Sequence, residues 1–263
     1  LYLPCAAVGS SNPVIGSELR WEREYKPAAR PKRVVVVGGG LAGCEAARIA
    51  AQRGHKVSLL EQGKRLGGQL LIASKAPGRD SFEDQVYFEE NEMKRTGVDV
   101  RLESRADIAA IRALKPDAVV IATGAVPRVP HDVSGLDQPH VVYGWDVMQG
   151  KAQTGKRVAI VSQEDYYETP GVADYLASKG KEVTVFLKGA HIGKEIARYS
   201  VGMTLARMES LGVTTVPNVT LTKIDAKGLE FDSAFGGKTY RYEGFDTVVL
   251  VYGAVAQPNL YDQ

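Results

Sequence analysis

Two cysteines, Cys5 and Cys44, in 263 residues leave no room for a disulfide framework. Without a C-x-x-C pair they also cannot by themselves build a complete metal site or a redox dithiol. Charge of one sign is equally scarce: 33 Lys and Arg against 31 Asp and Glu give a net charge of +2, which provides no basic footprint for nucleic acid. No apolar run nears the roughly 18 residues of a membrane span, because Val34 to Val37 runs straight into Gly38. The opening Leu-Tyr-Leu-Pro-Cys lacks a basic flank and is too short for a signal peptide. These absences predict a cytoplasmic protein that binds neither nucleic acid nor membrane, and a first residue other than Met points to a fragment, a processed chain or missing leading residues. Glycine, by contrast, is abundant: 28 residues, about half again the usual share of roughly 7%.

The chain says nearly the same thing twice. Lys32-Arg33-Val34-Val35-Val36-Val37 returns as Lys156-Arg157-Val158-Ala159-Ile160-Val161, the stretch from Arg53 to Leu60 returns from Lys179 to Phe186, and Asp117 to Val126 returns as Asp246 to Val255, at spacings of 124, 126 and 129. Each half reads as a buried strand, a helix (Glu45 to Gln52; Val172 to Ser178), a second strand after a Gly turn, and a last strand ending in a Gly loop. Continuous Val/Ile runs separated by helices are the mark of parallel strands covered on both faces. The fold class is therefore α/β, with two Rossmann-like βαβ three-layer domains at 31–148 and 149–263, preceded by a linker at 1–30 without clear periodicity. Pro127, Pro130 and Pro139 with Gly124 and Gly135 mark the junction, and Asp225 to Tyr242, containing Gly236-Gly237, reads as an inserted hairpin.

In the first half Gly38-Gly39-Gly40-Leu41-Ala42-Gly43 fits G-x-G-x-x-G, follows the valine strand, opens a helix, and has Glu61 23 positions beyond Gly38. Gly38 permits the tight turn, Gly40 lets a pyrophosphate approach bare backbone, and Gly43 lets helix and strand pack closely. The free N–H groups at the helix start face the phosphates, and Glu61 would accept hydrogen bonds from the ribose hydroxyls. An acid there disfavours a 2′-phosphate, which selects FAD, NAD or ADP over NADP. Gly67-Gly68-Gln69-Leu70, preceded by Arg65, reads as a loop over the rest of the dinucleotide. Cys44 reads as a small residue in the helix–strand contact and His55 as a solvated turn residue.

The second half keeps the strands and loses the fingerprint. Gly38, Gly39 and Gly40 fall on Ser162, Gln163 and Glu164, followed by Asp165, and Glu61 falls on Leu187. Carboxylates in a phosphate loop oppose phosphate, so NAD(P)H binding is expected to be impaired or absent; the alternative is an unusual nicotinamide site using Lys188 and backbone groups. Thr169 is the expected N-cap, with Pro170 at the first helical position.

Asn12-Pro13-x-x-Gly16-x-Glu18, Val36 to Arg48, Leu66-Gly67-Gly68-Gln69-Leu70 with Ala76-Pro77-Gly78-Arg79, and Ala122-Thr123-Gly124-Ala125-x-Pro127-Arg128 together resemble the iron-sulfur flavoproteins in which an FMN-bearing barrel precedes two nucleotide-binding domains. That group includes 2,4-dienoyl-CoA reductase and the trimethylamine and histamine dehydrogenases. The resemblance implies FAD or ADP in the first domain, held by Gly38, Gly40, Leu41, Ala42, Gly43, Glu61, Gln62, Arg65, Gly68, Gln69, Ala122, Thr123 and Gly124. It implies FMN and a [4Fe-4S] cluster in the longer protein, the barrel as partner in the same polypeptide, a homo-oligomer, and chain truncated at both ends. The degenerate second half is similar to the amine dehydrogenase branch, which passes electrons to an electron-transfer flavoprotein. The family's last cluster cysteine would fall at Gly9; Cys5 lies four positions earlier, so it is either a shifted cluster ligand or the cluster is missing. Alternatives are an NAD(P)H-dependent enoate or 2,4-dienoyl-CoA reductase, and a structural module that a nucleotide merely stabilises.

Overall fold

The computed structural model describes residues 12–257, 260 and 261, which form two compact units. The first holds, among the described residues, 12–71, 81–124 and the tail from 257. Its elements are α1 (Glu18–Glu24), β1 (Arg33–Val37), α2 (Leu41–Gln52), β2 (Lys56–Leu60), the start of α3 (Leu70–Ala73), α4 (Phe82–Thr96), β3 (Asp99–Arg101), α5 (Ile108–Ala113) and β4 (Ala118–Ile121). The parallel sheet has the order β3-β2-β1-β4. Because side chains alternate across a strand, Val34 and Val36 face Cys44, Ala47, Leu59 and Met93 beneath α2 and α4, while Val35 and Val37 face Ile111 of α5. The outer strand β4 leaves Val119 and Val120 exposed.

The second unit holds 72–80 and 125–256. It contains β5 (Ala125–Pro127), β6 (Val141–Tyr143), α6 (Gly144–Met148), β7 (Arg157–Ser162), α7 (Glu168–Ala177), β8 (Glu182–Leu187), α8 (Arg198–Ser210), β9 (Thr214–Val216), β10 (Val219–Ile224), β11 (Gly228–Ser233), β12 (Thr239–Glu243), β13 (Thr247–Val251) and β14 (Ala254–Ala256). Its parallel sheet, β9-β8-β7-β13-β6, repeats the first unit's order and adds β6. Val158 and Ile160 pack on Val172 and Leu176 of α7, whereas Ala159 and Val161 face the antiparallel sheet β10-β11-β12. Phe186 and Phe231, both fully buried, stack there with ring centroids 4.5 Å apart.

Three sequence expectations change. The boundary expected at 148/149 lies instead at 124/125, because Val141–Tyr143 pairs in parallel with Val248–Leu250 and carries 125–148 into the second unit. The inserted hairpin is two strands of a three-stranded sheet, since β10 pairs antiparallel with β11. The linker contains a seven-residue helix, α1, held by the Arg20–Glu24 pair and by Trp21 stacked on Tyr25 at 5.5 Å; it buries no residue, which is why no apolar period betrays it. The repeated Gly-Ala-Val segments also prove to pair with each other, β5 running antiparallel to β14 with Val126 opposite Val255.

Candidate functional site

In the first unit the three fingerprint glycines do different jobs. Gly38 sits at φ +105°, and a Cβ there would lie 2.2 Å from the Ala122 carbonyl oxygen. A Cβ on Gly43 would lie 1.9 Å from the Gly38 carbonyl oxygen. Both are therefore required by packing alone. Gly40 is different: its φ is −73°, and an added Cβ meets only the Gly68 Cα at 4.0 Å. Gly40 occupies the N-cap position of α2 with no side-chain cap, and the first turn carries no acid. The backbone N–H groups at the start of a helix have no intrahelical acceptors, so α2 presents uncapped donors and a positive dipole end beside bare backbone.

The second glycine loop closes against the first. Gly67 N donates to the Gly39 carbonyl at 2.8 Å, Gly40 and Gly67 form an isolated parallel bridge, and Gly68 approaches so closely that its Cβ would lie 3.0 Å from the Gly40 Cα. Glu61, at the end of β2, accepts a 2.6 Å hydrogen bond from Gly39 N through one carboxylate oxygen and another from Gly63 N through the other. The carboxylate is thus fixed in place, with lone pairs left for further donors. Sequence reasoning missed Gly63 and the buried Leu66, which lies 2.6 Å from where a Gly39 Cβ would stand; Gly63, two residues after an acid, was the available signal.

The remaining expected residues are more dispersed. Leu41, Ala42 and Gly43 form the first turn of α2. Ala122 N donates to the Val37 carbonyl at 2.8 Å, which brings the Ala122-Thr123-Gly124 turn under the loop. The Thr123 hydroxyl donates to the Gln257 carbonyl at 3.2 Å. Gln62 and Gln69 are exposed, with the Gln69 Nε2 3.3 Å from where a Gly124 Cβ would be. Arg65 turns toward α4, where it bonds Glu83 at 2.6 Å and Glu90 at 2.8 Å. Cys5 lies outside the described residues, and no group of three or more His, Cys, Asp or Glu among the described residues could hold a metal ion. Cys44 is buried, its Sγ donates to the Gly39 carbonyl at 3.4 Å, and burial pushes its thiol up to about 12, which makes it packing and not a nucleophile.

The corresponding loop of the second unit is built otherwise. By strand register Val37 corresponds to Val161, each opposite the penultimate or last residue of its parallel neighbour. α2 begins four residues after Val37 and α7 seven after Val161, so the second loop is three residues longer. Thr169 is not the N-cap: α7 begins at Glu168 with Tyr167 before it, and the buried Thr169 hydroxyl instead bonds Ser162 Oγ at 2.6 Å. The two Glu164 carboxylate oxygens accept from Thr169 N at 2.5 Å and from Tyr166 N at 2.7 Å. Leu187 is buried core where Glu61 stood in the first unit.

Two measurements test this geometry. Gly43→Ala should destabilise the chain by about 1–3 kcal/mol in chemical denaturation, as overpacking does, while Gly40→Ala should stay within about 1 kcal/mol of the parent; equal losses would contradict the assigned roles. Burial, followed by repulsion from Glu164, pushes the Glu168 carboxyl up from 4.5 to about 7. The folded state therefore holds this proton more tightly than the unfolded chain. That contribution is complete below pH 4.5 and is lost as pH rises through 7, a change on the order of 3 kcal/mol. Glu168→Gln should accordingly raise Tm over the parent at pH 8 and converge with it near pH 4; parallel Tm–pH curves would refute the shift.

Known proteins match this arrangement. The pyridine nucleotide-disulphide oxidoreductase family model matches residues 6–110 and 32–161, and the OYE-like second alpha/beta domain model matches 142–250. The chain is 44% identical over 170 residues to an N,N-dimethylglycine/sarcosine dehydrogenase of Chromohalobacter salexigens, covering 62% of this chain and 24% of that protein. It is 35% identical over 242 residues to a bilirubin reductase of Mediterraneibacter gnavus, covering 92% and 36%. It superposes on the solved 2-naphthoyl-CoA reductase with a TM-score of 0.88 and 33% identity, covering 95% of this chain and 37% of that one. The chain thus spans less than two fifths of the length of each of these relatives. It belongs to the pyridine nucleotide-disulphide oxidoreductase family, among the flavoproteins related to 2,4-dienoyl-CoA reductase and trimethylamine dehydrogenase.

Proposed function

We propose that this chain is the FAD- or ADP-binding region of a multi-cofactor flavin oxidoreductase that dehydrogenates an amine or N-methyl compound and passes the electrons to an electron-transfer flavoprotein. FMN and a [4Fe-4S] cluster then reside in the longer polypeptide, whose barrel is this region's partner and holds the substrate. The observation that carries the reading is the pairing of an uncapped α2 start at bare Gly40 with a fixed carboxylate at Glu61. The 44% identity to a dimethylglycine/sarcosine dehydrogenase supports the N-methyl assignment.

A dinucleotide fits the residues present. The N–H groups of Leu41, Ala42 and Gly43 and the helix dipole would hold the pyrophosphate, Gly40 and Gly68 leave it space, and Glu61 would accept from the adenosine ribose hydroxyls. The carboxylate repels a 2′-phosphate, which excludes NADP. A bound flavin supplies reversible acceptance of one or two electrons; this chain's residues bind and orient it, and none of them is assigned as a catalytic acid or base.

The second reading is an NAD(P)H-dependent enoate-type reductase, favoured by the likeness to 2-naphthoyl-CoA reductase and bilirubin reductase and disfavoured by Glu164 and Leu187 in the second unit. Calorimetric titration with ADP, FAD, NADH and NADPH separates them. ADP and FAD should bind, NADPH should not, and Gly40→Ala should weaken ADP by at least about tenfold, or about 1.4 kcal/mol. Tight NADPH binding without ADP or FAD affinity would overturn the proposal.

A further inference from the structure

The second unit keeps the helix start that its Gly-rich counterpart offers to a ligand, but satisfies it from within. At the start of α7, Thr169 N donates to one oxygen of the Glu164 carboxylate, while the other oxygen accepts from Tyr166 N in the loop before the helix. Backbone placement holds that carboxylate there: the Ser162 hydroxyl donates to the Glu164 carbonyl at 3.2 Å while also bonding Thr169 Oγ1, and Glu195 N donates to the Asp165 carbonyl at 3.0 Å. The three extra loop residues provide the slack for the side chain to fold back onto the helix. On the outside, Arg79 lies over the Tyr167 ring at 4.0 Å and Ala76 packs against Gly171, 3.3 Å from where its Cβ would stand, so residues 72–80 cover the turn. In the first unit the equivalent helix start has neither an internal acid nor a side-chain cap.

We propose that Glu164 is the resident anion of the second unit: its carboxylate takes the Thr169 N–H and sets a negative charge at the helix start where a dinucleotide pyrophosphate would have to sit, so this unit is closed to nucleotides by occupancy and does not depend on one for its stability. Glu164 is then the specificity-determining residue that confines nucleotide to the first unit. The inference concerns the second unit alone and stands whichever nucleotide the first unit takes.

The test compares the whole chain with Glu164→Ala and Glu164→Gln, following Tm against sodium pyrophosphate at constant ionic strength. Without pyrophosphate, Glu164→Ala should lose roughly 2–6 °C, as expected for a lost helix cap. Any pyrophosphate response of the first unit is common to all three proteins, so the informative quantity is the difference from the parent. Both variants should show an additional saturable rise in Tm, and the amides of Glu168 and Thr169 should become protected from exchange as it saturates. If Glu164→Ala does not fold, Glu164→Gln, which keeps an acceptor oxygen and loses the charge, must still show the extra response. Superimposable pyrophosphate curves for parent and folded variants, or an unchanged Tm in Glu164→Ala, would overturn the proposal.

Discussion

A helix that begins at the carboxyl end of a buried parallel strand leaves its first N–H groups without intrahelical partners, and in a partly dry crevice those donors need an acceptor. Both units of this chain place a helix there, α2 after β1 and α7 after β7. The α2 start has no side-chain cap and no acid in its first turn; the α7 start has an acceptor of its own in Glu164. Much of the local architecture follows from that choice. In the proposed reading, bare backbone at Gly40 and a short loop serve an incoming ligand, and a longer loop with an acidic side chain removes the need for one.

Crowding enforces the first arrangement. Gly38, Gly43 and Ala122 crowd together, leaving no space for a Cβ at either glycine, so the loop is held tightly in place. Glu61 is locked by Gly39 N and Gly63 N, which fixes its carboxylate just past the end of β2. Such fixed donors and acceptors reduce the ordering cost of binding. In the second unit Leu187 joins the core instead, and the α7 start is bound into a hydroxyl and carboxylate cluster through Ser162, Thr169 and Glu164.

What could be read from sequence was the backbone scheme. Val34 to Val37, the G-x-G-x-x-G run and the repeat at 156–161 foretell two parallel sheets, because local period and glycine spacing encode strand, turn and helix directly. Partners distant in sequence were not legible. Val141–Tyr143 joining Val248–Leu250 moved the boundary, and Gly68 meeting Gly40 closed the loop, yet neither pairing leaves a local signature. Arg65 was expected at the dinucleotide and lies against Glu83 and Glu90, since an exposed guanidinium goes to whichever carboxylates the fold brings near. Thr169 has the composition of a cap, but α7 starts two residues earlier than such a cap would place it, at Glu168, and the Thr169 hydroxyl turns inward to Ser162.

The central claim is an asymmetry between two copies of one design: one open to a dinucleotide, the other filled by its own carboxylate. Hydrogen exchange of backbone amides, with and without saturating ADP, reads both copies in the same molecule. The account predicts ligand protection at 38–44 and 61–69 with unchanged exchange at 163–171. Protection appearing at 163–171, or none at 38–44, would contradict it.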